Sequence, residues 1–226
     1  MAVGFGPLEG VPTSSGFAVV RLNPNGSLYT SFGGNGRVTT AFFRNPFFVP
    51  GEEGFSEFLG SDATAVAIQP EGKIVVAGFS GIVLAPSTIG SGLALVRYNP
   101  DGSLDTSFGS GGKVTTDLTG LGDFSIGQTI FQPDGKIVMA GSVTTGFPFP
   151  RPFDFLLVRY NPGGSLDTSF GSGGKVITDL GGNRESADAL ALQTDGKIVA
   201  VGEFVVVGGE ARVSLWRATS GISTPS

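Results

Sequence analysis

The sequence predicts an all-β chain of tandem four-stranded antiparallel units. Self-similarity at a near-constant spacing is the first observation behind that prediction. Turn signals at the same place in every copy are the second, and the lack of any sustained 3.6-residue period is the third. The block Gln69-Pro70-Glu71-Gly72-Lys73-Ile74-Val75-Val76-Ala77-Gly78 returns at Gln132 to Gly141 and at Gln193 to Gly202, spacings of 63 and 61 residues. The block Leu95 to Gly109 returns at Leu157 to Gly171 with one change, Asp101 to Gly163, and more loosely at Val19 to Gly33. Asn23 and Asn99 are 76 residues apart, so the first copy carries an insertion.

Within one unit the elements follow in order. Ala63 to Ile68 alternates small and branched residues and reads as a buried strand. Pro70-Glu71-Gly72 turns the chain, as Asp134-Gly135 and Asp195-Gly196 do in later copies, and such pairs between apolar runs mark hairpins. Lys73 to Phe79 is the second strand. Leu93 to Asn99 is the third, apolar apart from Arg97 and Asn99. A Pro-Asp-Gly turn follows, and Lys113 to Leu118 closes the unit. Four antiparallel strands in about sixty residues fit a β-propeller blade; the alternative is an open β-array or solenoid. The reading gives a single repeat domain over 1–226, with a partial unit 1–61, units 62–124 and 125–185, and a partial unit 186–226.

Tyr98-Asn99-Pro100-Asp101-Gly102-Ser103-Leu104-Asp105, Ser107-Phe108-Gly109, Lys113-Val114-Thr115-Thr116-Asp117 and Gln132-Pro133-Asp134-Gly135-Lys136-Ile137-Val138 resemble the delta-60 repeat family. The resemblance implies tandem propeller-type units in a secreted or cell-surface bacterial protein, and no particular activity. The first copy departs from the motif at Asn25 and Tyr29, where the later copy has Asp101 and Asp105.

Composition narrows the chemistry. The chain has no Cys and no His, which removes thiolate nucleophiles, zinc thiolate sites and the commonest general base. Charged residues are 15% and the net charge is -5, against a nucleic-acid partner and against attraction to anionic membranes. No run of 18 apolar residues suggests membrane insertion. Serine recurs in Ser107-Phe108-Gly109 without a His to activate it. Lys73, Lys136 and Lys197 follow turns, where exposed residues are expected. Arg97, Arg159 and Arg217 recur inside apolar strands, and each needs a carboxylate such as Asp105 or Asp167. Residues repeated in every unit read as structural, because a site needs to occur only once. Glu52, Glu53 and Glu57 lie close together in the insert and could be glycosidase-like, but nearby acids in a loop are usually just solvated. The expectation is a protein that is not an enzyme.

Two binding readings compete with turn chemistry. Calcium at Asn99, Asp101 and Asp105 would use a D-x-D-G-like loop, against the simpler reading that Asn and Asp cap their own turns. A glycan could stack on Tyr98 and Tyr160, although the first copy has Leu22 in that place. About fourteen strands make three and a half blades, whereas propellers usually close with four to eight. Strand edges left open invite another chain. The expected partner is therefore a second copy, in a homo-oligomer or a head-to-tail filament, unless the chain is a piece of a longer array. Phe42, Phe43, Phe47, Phe48, Phe147, Phe149 and Phe153, in or beside the inserts, are the predicted interface residues. The function expected is structural or adhesive, by self-assembly outside a bacterial cell; the alternative is a carbohydrate-binding propeller.

Overall fold

The structure, a computed structural model, describes residues 2–8, 11–42, 61–85, 88–118, 121–145, 152–206 and 212–218. Among them are fourteen strands and no helix. They are β1 (Ala2–Leu8), β2 (Val11–Val20), β3 (Arg37–Thr40), β4 (Ser61–Ile68), β5 (Ile74–Ala85), β6 (Thr88–Tyr98) and β7 (Lys113–Asp117). Then follow β8 (Phe124–Phe131), β9 (Ile137–Thr144), β10 (Phe153–Tyr160), β11 (Lys175–Thr178), β12 (Arg184–Leu192), β13 (Ile198–Val205) and β14 (Arg212–Ala218).

The chain divides into two compact units, Met1–Thr119 and Gly120–Ser226. The first holds the sheets β1-β2-β3 and β4-β5-β6-β7. The second holds β8-β9-β10-β11 and β12-β13-β14, joined by one parallel pair, Phe153 with Arg184. Every sequential pair within a sheet is antiparallel, so each unit is a set of meanders and not a stack of parallel solenoid rungs. The register repeats as the sequence does. Gly4 faces Ala18, Gly78 faces Ala94, Gly141 faces Leu156 and Gly202 faces Ser214.

Local chemistry explains the turns. Gly72, Gly135 and Gly196 sit at φ of 83°, 81° and 82°, and each donates its N–H to the carbonyl of the Gln three residues earlier. A side chain would be strained there. Gly78, Gly141 and Gly202 are needed for another reason. Each faces a register shift in the neighbouring first strand, at Ala63/Ala65, Ile126/Gln128 and Ala187/Ala189. A Cβ there would come within 1.9, 1.8 and 1.7 Å of the carbonyl oxygens of Asp62, Ser125 and Ser186.

Among the described residues, each unit holds a hydrophobic cluster shared by its strands. In the first, Phe17, Val19 and Phe32 meet Ala63, Ile74, Val76, Ala94, Val96 and Tyr98. In the second, Val138, Ala140, Phe155, Leu157 and Phe170 meet Ala187, Leu190, Ile198 and Ala200. Burying a side chain the size of Phe or Leu contributes about 1.5–3 kcal/mol.

Candidate functional site

In two of the repeats the recurring polar residues converge on one carboxylate. Asp105 follows the turn after β6, and Arg97 lies near the end of that strand. Arg97 Nε and Lys73 Nζ each donate to Asp105 Oδ2 at 2.7 Å. The Ser107 hydroxyl (2.6 Å) and amide (3.2 Å) donate to Asp105 Oδ1. The Arg97 guanidinium lies over the Phe108 ring, 4.5 Å from its centre. Arg97 and Asp105 are both buried, at 7% and 6% exposure. The next repeat copies the arrangement. Arg159 Nε is 2.8 Å and Lys136 Nζ 3.2 Å from Asp167 Oδ2, Ser169 donates to Oδ1, and Arg159 covers Phe170 at 4.3 Å.

Burial by itself would raise the Asp105 carboxyl. Donation from Lys73 and Ser107 and the charge of Arg97 outweigh it and hold the group well below the usual carboxylate range. Asp167 is held down likewise, first by the Ser169 hydroxyl and then by Lys136 and Arg159 against the same desolvation. A carboxylate clamped between two cations is a poor base and a poor metal ligand. The cluster's chemistry is that of a strut between the third strand, the following turn and the start of the second strand.

A second polar cluster occurs once among the described residues. Asp154 in β10, Asp179 just after β11 and Glu185 in β12 place carboxylate oxygens within 4.8 Å of one another. Asp154 and Glu185 are buried, at 2% and 0% exposure, and Asp179 is exposed. Glu185 accepts the Leu180 amide on both oxygens (3.0 and 2.9 Å) and the Gly182 amide at 2.7 Å. Gly181 N–H donates to Asp179 Oδ1 at 2.6 Å, and the Thr145 hydroxyl donates to Asp154 Oδ2. Asp154 Oδ1 has no hydrogen-bond partner. Desolvation, then the neighbouring Asp179 and Asp154, push the Glu185 carboxyl up despite its amide donors.

Comparison with known families gives a match. The family described as Domain of unknown function (DUF5122) beta-propeller matches residues 11–32, 69–108, 132–170 and 193–221, more than half of the chain. The chain belongs to this family of β-propeller repeats. Comparison with curated proteins gives no match. The DUF5122 segments 69–108 and 132–170 run from the turn ahead of Lys73 to Phe108 and from that ahead of Lys136 to Phe170. They therefore enclose both copies of the strut. Of the carboxylate trio only Asp154 lies inside a matched DUF5122 segment.

The residues singled out by sequence fall into place on this DUF5122 fold as follows. Arg97 and Arg159 find the carboxylates expected of them, Asp105 and Asp167. Lys73 and Lys136 differ from expectation: they are about three-quarters buried and share those carboxylates. Asn99 donates its amide to Ser103 Oγ, Asp101 accepts from Ser103, and Asp105 faces Arg97 and Lys73, so this loop is turn chemistry and its carboxylates are already engaged. Tyr98 and Tyr160 are buried and offer no platform for a sugar. Burial pushes the Tyr98 phenol up to about 12, only partly offset by its 2.6 Å hydrogen bond with Thr40. Phe42 is half-buried and packs on Phe17, ring centres 4.6 Å apart, and Phe153 opens β10 opposite Thr144. Phe43, Phe47, Phe48, Phe147 and Phe149 lie outside the described residues, as do Glu52, Glu53 and Glu57.

Sequence reasoning missed the carboxylate trio. The one available signal was a break in the repeat. By register, Asp154, Asp179 and Glu185 correspond to Gly92, Asp117 and Phe124 one repeat earlier, and to Gly16, Ala41 and Ser61 in the first.

Proposed function

We propose that this β-propeller repeat chain is a non-enzymatic structural or adhesive module that works by self-assembly outside a bacterial cell. Two features support the absence of catalysis. The polar residues that recur are clamped in struts, and Cys and His, the usual nucleophile and base, do not occur in the sequence. The extracellular setting rests on the resemblance of the motifs to delta-60 repeats.

One observation carries the assembly reading. Leu22, Leu28 and Tyr29 are 45%, 39% and 37% exposed, and Leu22 bridges Leu28. Their counterparts in the next repeat are Tyr98, Leu104 and Asp105. There Tyr98 is covered by Phe32 and Thr40, Leu104 packs on the same core, and Gly33 N–H and Arg21 bind the carbonyls of Asp101 and Pro100. Leu22 and Leu28 are thus exposed where Tyr98 and Leu104 of the second repeat are covered. Exposed apolar clusters of this kind mark contact surfaces. A second copy of the chain, patch against patch, would bury both in an isologous contact.

Light scattering after gel filtration tests this. The expected result is a mass above the 23.0 kDa of one chain, falling to one chain in the double variant Leu22→Asp/Leu28→Asp. A wild-type protein that stays at one chain at high concentration overturns the reading.

A further inference from the structure

We propose that Asp154, Asp179 and Glu185 form a binding site for a hard divalent cation, calcium in preference to magnesium, where β10, the turn after β11 and the start of β12 meet.

The geometry suits such an ion. Three carboxylate oxygens lie within 4.8 Å of one another. Calcium binds oxygen at roughly 2.3–2.6 Å, so ligands on opposite sides of it lie up to about 5 Å apart; for magnesium, at roughly 2.0–2.1 Å, the limit is about 4.2 Å. The donors are all hard oxygens, which is what both ions take.

The second observation is independent of the clustering. Asp154 is 98% buried by its 2% exposure, and its Oδ1 has no partner. Buried carboxylate oxygens are normally hydrogen-bonded or paired, because leaving one bare forfeits its hydration with nothing in return. Glu185 is fully buried beside it. Among the described residues no Lys or Arg pairs with any of the three, and the adjacent Arg184 is engaged with Glu203. Two buried like charges with no counter-charge among the described residues repel each other and destabilise the fold. A cation removes that repulsion.

The surroundings orient the carboxylates. Amides of Leu180 and Gly182 fix Glu185, the Gly181 amide fixes Asp179, and Thr145 fixes the other oxygen of Asp154. This is the role that outer hydrogen bonds have in metal sites. The exposed side chain of Asp179 leaves an entry path from solvent. Finally, among the described residues the trio appears at one junction only. Its counterparts Gly92, Asp117 and Phe124, and Gly16, Ala41 and Ser61, have at most one carboxylate per set. The repeat architecture does not demand these acids, so they answer to something local.

The test uses the full chain, stripped with a chelator and desalted. Titration calorimetry with calcium chloride is expected to show one ion per chain, with a Kd between about 10 µM and 1 mM, and the melting temperature is expected to rise in calcium. Asp154→Asn and Glu185→Gln should each weaken binding at least about tenfold, whereas Asp101→Asn, in the turn of another repeat, should leave it unchanged. In chelator, Asp154→Asn should melt no lower than wild type, because it relieves repulsion. Wild-type protein that shows neither heat nor a melting shift in about 5 mM calcium overturns the site, as does binding that survives both substitutions. An equal response to magnesium overturns the assignment to calcium.

Discussion

Asp105 and Asp167 show how a buried charge is kept in this fold. Each has two cations on one oxygen and a serine on the other. Removing the charge leaves a buried guanidinium without its partner, so Asp105→Asn is expected to lower stability by roughly 3 kcal/mol, measured by urea unfolding. The pH dependence follows from the same contacts. The folded-state pKa of each group is depressed below the ordinary value of about 3.9, so the stabilisation is fully present above that pH. It is lost as pH falls toward the folded value. Melting temperature is therefore expected to drop below about pH 4, and less steeply in Asp105→Asn than in wild type. A drop of equal steepness would show that other groups control the acid limb.

Strands and turns carry the next level. The glycines at 78, 141 and 202 permit the close approach of a bulged first strand to the second. Because the obstacle at Gly141 is a backbone carbonyl, Gly141→Ala must displace β8 from β9, at the upper end of the about 1–3 kcal/mol typical of overpacking. Hydrogen exchange should show the loss in β8 and β9 before the rest of the second unit. Phe108 and Phe170 act at the same scale, each buried beneath an arginine and bracing the turn after the third strand. Truncation to Ala is expected to cost about 3–5 kcal/mol, and a loss below about 1 kcal/mol in chemical denaturation would contradict that placement.

For the whole molecule the question is association. If two copies cover each other's Leu22, Leu28 and Tyr29, folding and assembly are linked by mass action. The melting temperature should then rise with protein concentration in the wild type and be flat in Leu22→Asp/Leu28→Asp. Differential scanning calorimetry over a hundredfold range of concentration decides between these outcomes.

Strands, their order and their turns were legible in the sequence. Periodicity, the Asp-Gly and Pro-Glu-Gly turns and the fixed spacing of Gln69, Gln132 and Gln193 are local properties, and the backbone obeys them. Pairing of Arg97 with Asp105 was legible too, because a guanidinium inside an apolar strand needs a carboxylate and the motif holds one eight residues on. Contacts between distant segments account for the rest. Lys73, 32 residues from Asp105, reaches that carboxylate only when the first hairpin folds beside the third strand. The exposure of Leu22 and burial of Tyr98 depend on which face has a neighbour and not on the residues themselves. Asp154, Asp179 and Glu185 come from three separate strands or turns, and none belongs to a motif that marks a ligand. Their proximity is set by the pairing of β10 with β11 and by the single parallel pair of Phe153 with Arg184, a long-range property that no window of sequence contains.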